Sequence, residues 1–278
     1  MLIPPIKCQG KKTKLVSHIK ELYSKLKLDN SVYYEPFMGS GIVGFNIEPE
    51  RAIFSDNNPY IIKFYNSIKS NEIDLDTIRI FLEEEGKKLL ESGKDYYNLV
   101  RDRFNKDGNI LDFLFLNRCC FNGLMRFNRN GKFNVPYCKK DDKLSSDYID
   151  KIIDQVKKVK ELLDRHPDWQ FICSDWKDIV KDAKEEDIIY CDPPYLGLFS
   201  TYYTEYDINN EKELQDFLNN ICNSKWIYSS WKENKDKTNE FILDLIGKYD
   251  SIDIEHRYQI GSKNEYRNKV VEILIYKN

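Results

Sequence analysis

The architecture of this chain follows from residues 31–56, SVYYEPFMGSGIVGFNIEPERAIFSD. Residues 31–37 predict a strand that runs into a glycine turn, and GIVGFNI (41–47) predicts a helix. Residues 51–56 predict a second strand. This order of strand, turn, helix and strand opens a nucleotide-binding α/β unit, so we expect a fold of that class.

The elements predicted on either side extend this unit. Periodic leucine and isoleucine residues predict a first helix over 13–27. Helical patterns dominate later in 61–69, 75–91, 96–105 and 110–122. Strand patterns return in 169–175, 187–195, 225–230, 251–260 and 269–278. The simplest organisation is one α/β domain, 1–60 and 145–278, interrupted by an inserted, mostly helical module at 61–144.

The composition is that of a soluble globular protein, since 41% of the 278 residues are hydrophobic and 32% are charged. No apolar run approaches the roughly 20 residues that a membrane helix requires. The N-terminal sequence MLIPPIKCQG is broken by two prolines and lacks a small-residue cleavage site, so it does not resemble a signal peptide. We therefore expect a cytoplasmic protein that does not act at a membrane.

Cysteine and histidine give little support for a metal site. The seven cysteines include no C-x-x-C pair, and the chain has only three histidines. A disulfide framework is not expected in a chain of this length. We expect structural thiols and no metal.

The net charge of −3 conceals an uneven distribution. Residues 1–20 contain five lysines and no acidic residue, and residues 101–140 contain nine basic residues against three aspartates. One basic stretch is usually an ordinary solvated surface. Two such stretches beside the motifs described next favour a polyanionic partner.

The clearest chemical signal is Asp192-Pro193-Pro194-Tyr195, directly after the apolar run 188–191. A strand would deliver this tetrapeptide to the carboxyl edge of the sheet, where open α/β folds bind ligands. The carboxylate of Asp192 and a proline carbonyl are both acceptors, and Tyr195 offers a flat face for a heterocycle. This set suits an aromatic amine whose nitrogen gains positive charge during reaction. The alternative is a loop in which two prolines merely end a strand.

The second signal is the turn Glu35-Pro36-Phe37-Met38-Gly39-Ser40-Gly41. Closely spaced glycines let the backbone approach a ligand without a side-chain clash. Asp56, at the end of the next predicted strand, is the expected partner of ribose hydroxyls. The turn is shorter than the dinucleotide fingerprint, which disfavours a cofactor with a pyrophosphate. Taken alone, it also fits a tight strand-to-helix connection.

These motifs resemble the Dam family of DNA adenine methyltransferases. They occur in the family's order as Lys7-Cys8-Gln9-Gly10-Lys11-Lys12, FMGSG at 37–41, Ser55-Asp56-Asn57 and DPPY at 192–195. The stretch FNGLMRFNRNGKFNVPY (121–137) is similar to the family's DNA-contacting segment. The resemblance implies a Rossmann-like, S-adenosylmethionine-dependent methyltransferase sheet with an inserted DNA-recognition module. Cys8 stands where the family usually has tryptophan, and Tyr137-Cys138-Lys139 stands where it often has Phe-Gly-Arg.

The resemblance also implies the roles of individual residues in the reaction. Lys12 would hold the methionine carboxylate of S-adenosylmethionine, and Asp56 would hold its ribose. The implied cofactor residues are Cys8, Lys12, Glu35, Phe37, Gly39, Gly41, Asp56, Asp175 and Asp192. The implied catalytic residues, which would hold the target adenine, are Asp192, Pro193, Pro194 and Tyr195. No covalent nucleophile is implied, because the Pro-Cys motif of cytosine-ring methylation is absent.

A further group of residues is implied to contact double-stranded DNA. Lys7 would reach a guanine, Phe121 would fill the space left by a flipped base, and Leu124, Arg126 and Pro136 would contact base edges. Positioning contacts to phosphates are expected of Arg118, Arg129, Lys132 and Lys140. Asn122, Asn128 and Lys139 complete the implied DNA-binding set. For Phe127 and Phe133 we expect anchoring to the core, and for Trp176, Trp226 and Trp231 core packing.

The sequence therefore predicts a site-specific DNA adenine methyltransferase, with GATC as the site that the family suggests. An amine inside a duplex is out of reach, so the mechanism requires base flipping. An RNA or protein amine methyltransferase is one alternative, and residues 121–137 argue against it. A catalytically silent DNA-binding protein is another, and the intact Lys12, Asp56 and DPPY argue against that. A cognate restriction endonuclease acting separately is a further expected partner.

Overall fold

The computed structural model of the chain describes residues 1–10, 12–196, 206–234, 237–259 and 267–278. Lys11, part of the lysine-rich start, and Ile260, the predicted end of a strand, lie outside the described residues.

One sheet contains the strands of the described residues, in the order β3-β2-β1-β4-β5-β8-β7, and β6 pairs with the end of β5. The strands are β1 Tyr33–Glu35, β2 Ala52–Asp56, β3 Gln170–Cys173, β4 Ile188–Cys191, β5 Lys225–Asn234, β6 Lys237–Thr238, β7 Asp250–Gln259 and β8 Arg267–Lys277. The first five in spatial order are parallel, and β8 and β7 add antiparallel strands at one edge. The expected Rossmann-like α/β fold is confirmed.

The strand order reverses beside β1, because β2 lies on one side of it and β4 on the other. At such a switch point, the loops that follow the two central strands diverge and leave a crevice for a ligand. β1 and β4 are fully buried, as their mostly apolar and aromatic sequences predict for a parallel sheet that is covered on two faces. The two predicted chemical motifs directly follow these strands.

Most helices begin and end close to the predicted positions, although the helix predicted from residue 41 begins at Gly44. The helices of the described residues are α1 Val16–Leu26, α2 Gly44–Ile47, α3 Pro59–Lys69, α4 Leu75–Asp107, α5 Ile110–Cys119, α6 Ser146–Arg165, α7 Trp176–Val180, α8 Ile208–Asp216 and α9 Leu243–Lys248. The helices predicted at 75–91 and 96–105 are one element, α4, with non-helical backbone at Gly93, where φ is 50°. The helix predicted at 110–122 ends at Cys119, because the backbone of Cys120 is extended, and Phe121–Gly123 form a separate turn in which Asn122 adopts φ 55°.

Helices α3 to α6 pack on one another through apolar faces and one ionic network. In α6, the buried residues recur at helical spacing on one side. Arg103 of α4 bridges the buried carboxylates of Glu85 in the same helix and Asp112 in α5. The boundaries 1–60, 61–144 and 145–278 stay a prediction. Among the described residues, no helix has the length and apolar character needed to cross a membrane.

Candidate active site

A cleft lies at the carboxyl ends of β1 and β4 and encloses about 1230 Å³, part of it open to solvent. Most of the predicted cofactor residues line it: Cys8, Lys12, Glu35, Phe37, Gly39, Asp56, Asp175 and Asp192. Pro193 and Pro194 also line it. Gly41 lies in the same turn but is not among the lining residues. The two sequence motifs are therefore brought to one cleft, since their strands are neighbours in the sheet.

The glycine turn after β1 is held by the carboxylate of Asp56. Its Oδ2 accepts a hydrogen bond from the N–H of Gly39 at 2.9 Å, and its Oδ1 accepts one from the N–H of Asn58 at 2.9 Å. Gly39 and Gly41 have φ angles of 51° and 76°, which disfavour other residues. A Cβ at Gly41 would lie 2.7 Å from the ring of Phe45. Asp56 therefore shapes the turn besides facing the cleft.

Two acidic side chains of this part of the cleft have raised pKa values. Burial raises the pKa of Asp56 to about 6, although hydrogen bonds from Asn58 and Gly39 oppose the shift. Glu35 is 1% exposed and accepts a hydrogen bond from the hydroxyl of Tyr33 at 3.1 Å. Burial raises the pKa of Glu35 well above its usual range. The part of the cleft around Asp56 and Glu35 thus disfavours negative charge unless a hydrogen-bond donor compensates it.

The carboxylate of Asp192 is held from two sides. Ser229 Oγ donates to its Oδ1 at 2.7 Å, and Lys12 Nζ lies 3.0 Å from the same oxygen. Enclosure by the protein raises the pKa of Asp192, whereas Lys12 and Ser229 lower it. β5 supplies Ser229 because Cys191 and Tyr228 are paired in the register of β4 and β5. Asp192 and Ser229, which follow this pair in the chain, therefore lie side by side.

Lys12 also lies against Tyr195, the last residue of the DPPY motif. Its Nζ is 4.3 Å from the centroid of the Tyr195 ring, and it donates to the carbonyl of Gly10 at 2.9 Å. The Tyr195 hydroxyl donates to Glu272 Oε1 of β8 at 3.1 Å. No local sequence pattern predicts this arrangement, because Lys12 and Tyr195 are far apart along the chain.

Sequence reasoning missed several residues that line the cleft. Tyr206 packs edge-on against Phe37, with ring centroids 6.4 Å apart, and its hydroxyl donates to Glu211 at 2.9 Å. Met125, from residues 121–137 (the basic module), and Asn210, from the start of α8, also line the cleft. Tyr206 and Asn210 lie outside the predicted motifs, and Met125 lies in the stretch predicted to contact DNA, so only their positions in space assign them to the cleft.

The tryptophans predicted to pack in the core are buried, as expected. Trp226 is fully enclosed, and Trp176 is buried while also forming part of the cleft wall. Trp231 is buried and donates through Nε1 to the carbonyl of Leu196 at 2.8 Å. Phe127 and Phe133 are buried and pair through their backbones in an antiparallel β-bridge, so they anchor the basic module as predicted.

Most residues of the predicted DNA-contacting set lie on the surface. Phe121, Asn122, Asn128, Arg129, Lys132, Pro136, Lys139 and Lys140 are exposed, and Lys7, Leu124 and Arg126 are half-buried. Arg126 donates through Nε to Asn134 Oδ1 at 2.7 Å and through Nη2 to the Asn134 carbonyl at 2.9 Å. Asn128 Oδ1 accepts hydrogen bonds from the N–H groups of Asn130 and Lys132, which closes the loop of residues 128–132.

Arg118 is a correction to the expected phosphate contacts. Its side chain is buried, and its Nη1 donates to the Pro5 carbonyl at 2.9 Å and to Gln155 Oε1 at 3.2 Å. Burial lowers the pKa of Arg118 to about 10. A guanidinium engaged inside the protein cannot reach DNA, because its α5 position faces the core. Arg118 instead joins the N-terminal segment to α5 and α6.

No group of three or more histidine, cysteine or acidic side chains in the described ranges is arranged to hold a metal ion. The chemistry that the cleft offers rests on hydrogen-bond acceptors, a buried ammonium group and aromatic faces. These groups suit a ligand that has a heterocycle, ribose hydroxyls and a carboxylate.

Comparison with known proteins agrees with this chemistry. The family model of D12 class N6 adenine-specific DNA methyltransferases matches residues 9–260. Type II methyltransferase M.MjaIII of Methanocaldococcus jannaschii is 34% identical over 233 residues, which cover 76% of this chain and 77% of the relative. A DNA adenine methylase of Haemophilus influenzae is 30% identical over 237 residues, covering 81% and 77%. Type II methyltransferase M1.LlaDCHI of Lactococcus lactis subsp. cremoris is 28% identical over 290 residues, covering 99% and 95%.

Proposed function

The chain belongs to the D12 class of N6 adenine-specific DNA methyltransferases, and from this membership we propose that it methylates N6 of an adenine flipped out of double-stranded DNA, with S-adenosylmethionine as the methyl donor. The membership itself establishes a DNA adenine methyltransferase that uses a methyl donor. The identity of the donor, base flipping and the roles of single residues are the proposal.

The observation that carries the proposal is the position of Asp192 in the same cleft as Asp56 and the glycine turn. One end of the cleft offers the acceptors of an amine, and the other offers an acceptor for ribose hydroxyls. The buried ammonium group of Lys12 lies beside Asp192 and suits a carboxylate. S-Adenosylmethionine has these groups, and when bound it supplies an electrophilic methyl group.

The proposed reaction uses Asp192 and Pro193 as acceptors. The Asp192 carboxylate and the Pro193 carbonyl accept hydrogen bonds from the adenine amine, which draws its lone pair out of conjugation with the ring. The nitrogen would then take the methyl group in line as the bond from the methyl carbon to the sulfur breaks, which releases S-adenosylhomocysteine, and Asp192 would stabilise the positive charge that develops on the nitrogen. Ser229 keeps the carboxylate oriented, and Asp192 is placed to take the proton that the nitrogen loses.

The proposed DNA surface consists of the predicted set without Arg118. Lys7 contacts a guanine, and Leu124, Arg126 and Pro136 contact further base edges. The exposed cations Arg129, Lys132, Lys139 and Lys140 contact phosphates, together with Asn122 and Asn128. Because two relatives are named Type II methyltransferases, the proposal includes a separate restriction endonuclease that reads the same site.

Methyl transfer from labelled S-adenosylmethionine tests the proposed function. Purified protein is incubated with DNA that lacks adenine methylation, and methylated adenines are mapped by sequencing. We expect N6-methyladenine at one short sequence, with GATC as the first candidate. Label that appears in RNA or protein but not in DNA would contradict the proposal, and binding without transfer would indicate a silent DNA-binding protein.

Base flipping has its own test at Phe121, whose side chain is 50% exposed. Phe121→Ala should slow methylation of a paired adenine, because the space left by the base is no longer filled. An abasic site opposite the adenine lowers the cost of extrusion, so the variant should recover on that duplex. Phe241→Ala, at another exposed phenylalanine, is the control. Equal loss of methylation rate on both duplexes would contradict the role of Phe121 as a wedge that fills the space left by the flipped base.

A further inference from the structure

The N-terminal segment, residues 1–10, forms neither helix nor strand, and side chains hold its backbone in place. Asn117 of α5 makes the clearest of these contacts. Its Oδ1 accepts the N–H of Lys7 at 2.9 Å, and its Nδ2 donates to the Lys7 carbonyl at 2.8 Å. Asn117 is fully buried. Its amide therefore pairs with Lys7 as a neighbouring strand would, using both backbone groups.

We propose that Asn117 is a positioning residue for base recognition, which fixes Lys7 relative to the Phe121 wedge. This inference rests on the proposed function, because it takes Lys7 as the residue that contacts a guanine. Asn117 itself does not face the cleft or the exposed DNA surface. It acts through the backbone of Lys7.

The chain between Asn117 and the wedge is short and constrained. α5 ends two residues after Asn117, and the turn Phe121–Gly123 follows directly. Phe121 donates its N–H to the Pro136 carbonyl at 2.8 Å, which ties the turn to the rest of the basic module. A movement of the end of α5 would therefore move the wedge as well.

Gly123 brings the same turn into contact with Lys7 from the other side. A Cβ at Gly123 would lie 2.8 Å from both Cβ and Cδ of Lys7. Such a distance requires a shift of one partner, and Gly123 also has φ 66°. The side chain of Lys7 thus rests on the turn, while its backbone is held by Asn117. Lys7 and Phe121 form one unit with little freedom of separation.

This geometry has a consequence for specificity rather than for phosphate binding. A contact to a base edge depends on the direction of two hydrogen bonds, whereas a phosphate contact tolerates displacement of a flexible lysine. Loss of the Asn117 amide would leave the N–H and C=O of Lys7 without this partner. The segment could then shift, and discrimination at the base that Lys7 contacts should suffer most.

The experiment compares methylation rates on the recognised duplex and on duplexes with one substituted base pair. Lys7→Ala first identifies the position that Lys7 reads. Asn117→Ala should then lower discrimination about tenfold or more at that same position, as expected for a misplaced base contact, and by no more than about twofold elsewhere. In the Lys7→Ala background, Asn117→Ala should have no further effect on discrimination.

Asn46→Ala is the matched control, because Asn46 holds Leu2 of the same segment by the same two bonds, at 2.7 and 2.9 Å. It should leave the discrimination profile unchanged. If Asn117→Ala does not fold, Gly123→Ala disturbs Lys7 from the other side and should relax the same position. Equal loss on all duplexes, additive effects with Lys7→Ala, or the same profile change from Asn46→Ala would overturn the inference. Wild-type protein that methylates no adenine in DNA would instead count against the proposed function.

Discussion

Lys12 and Asp192 form a partly buried ion pair, with Nζ 3.0 Å from Oδ1, in the cleft at the carboxyl ends of β1 and β4. The same ammonium group lies over the ring of Tyr195. Both contacts use groups that we propose for the target adenine, since Asp192 would accept its amine hydrogens and Tyr195 would stack on its ring. We therefore expect Lys12 to leave Asp192 when the adenine enters, with the methionine carboxylate as its new partner.

Replacement of Lys12 tests this partner directly. Lys12→Met should weaken the binding of S-adenosylhomocysteine, which carries the same carboxylate, by about tenfold or more. The reason is that a charged hydrogen bond contributes about 1.5–3 kcal/mol. Calorimetry gives the affinity. Lys14→Met is the control, since Lys14 is exposed on the same segment. Unchanged affinity in Lys12→Met would mean that another group holds the carboxylate.

Asp192→Asn should nearly abolish methyl transfer. The amide keeps the size of the side chain but loses the charge that stabilises the nitrogen, so the rate should fall by about a hundredfold or more. Single-turnover assays with labelled S-adenosylmethionine measure the step. Asp182→Asn, at an exposed aspartate, should retain the wild-type rate. A rate above about one-hundredth of wild type would contradict the catalytic role of Asp192.

Ser229 and Ser230 offer a matched pair on β5. Ser229 donates to Asp192, whereas Ser230 accepts a hydrogen bond from Asn239 Nδ2 at 3.2 Å. Ser229→Ala should lower kcat about tenfold or more, the effect of one hydrogen bond to a charged group. Affinity for S-adenosylhomocysteine should not change, and Ser229→Thr should restore much of the rate. A similar loss in Ser230→Ala would indicate a general effect on packing.

Cofactor affinity should depend on pH through Asp56. Its folded pKa of about 6 lies above the usual value of an aspartate, so the carboxyl takes up a proton as the pH falls through 6. The ionised form keeps acceptor sites for ribose hydroxyls beyond those used by Gly39 and Asn58. At pH 5 only about a tenth of these carboxyls are ionised, and the affinity should be about tenfold lower than at pH 8.

Calorimetry with S-adenosylhomocysteine from pH 8 to pH 5 measures this dependence. Asp56→Asn cannot ionise at this position, so its affinity should be lower at pH 8 and nearly constant over the range. If Asp56→Asn and wild type lost affinity in parallel, another acid of the cleft would be responsible.

Arg126 and Lys140 should separate base recognition from phosphate binding. Arg126 is oriented by two bonds to Asn134, so Arg126→Ala should relax discrimination at one position, where a base contact contributes about 1–3 kcal/mol. Lys140→Ala should weaken all sequences alike and reduce the salt slope by about one unit. Methylation rates on singly substituted duplexes at two salt concentrations distinguish the two. Equal loss on every duplex in Arg126→Ala would make Arg126 a positioning residue.

The sequence alone determined the central strands, the glycine turn and the edge of the sheet where the motifs lie. These features depend on short-range patterns. Residues 188–191 are apolar on both faces of a strand, and Gly39 and Gly41 adopt the positive φ angles that a tight turn requires. Asp192 comes directly after β4 and Asp56 is the last residue of β2, so their placement at one edge of a parallel sheet needed only the strand order.

Only the tertiary structure decided which side chains meet. Lys12 and Asp192, Ser229 and Asp192, and Asn117 and Lys7 are each brought together by strand register or helix packing, which no local pattern encodes. The same reason explains the error at Arg118, whose basic character suggested a phosphate but whose position on α5 faces the core. Chain neighbours predict secondary structure because the periods of helix and strand are short. Contacts between distant residues depend on how the completed elements pack.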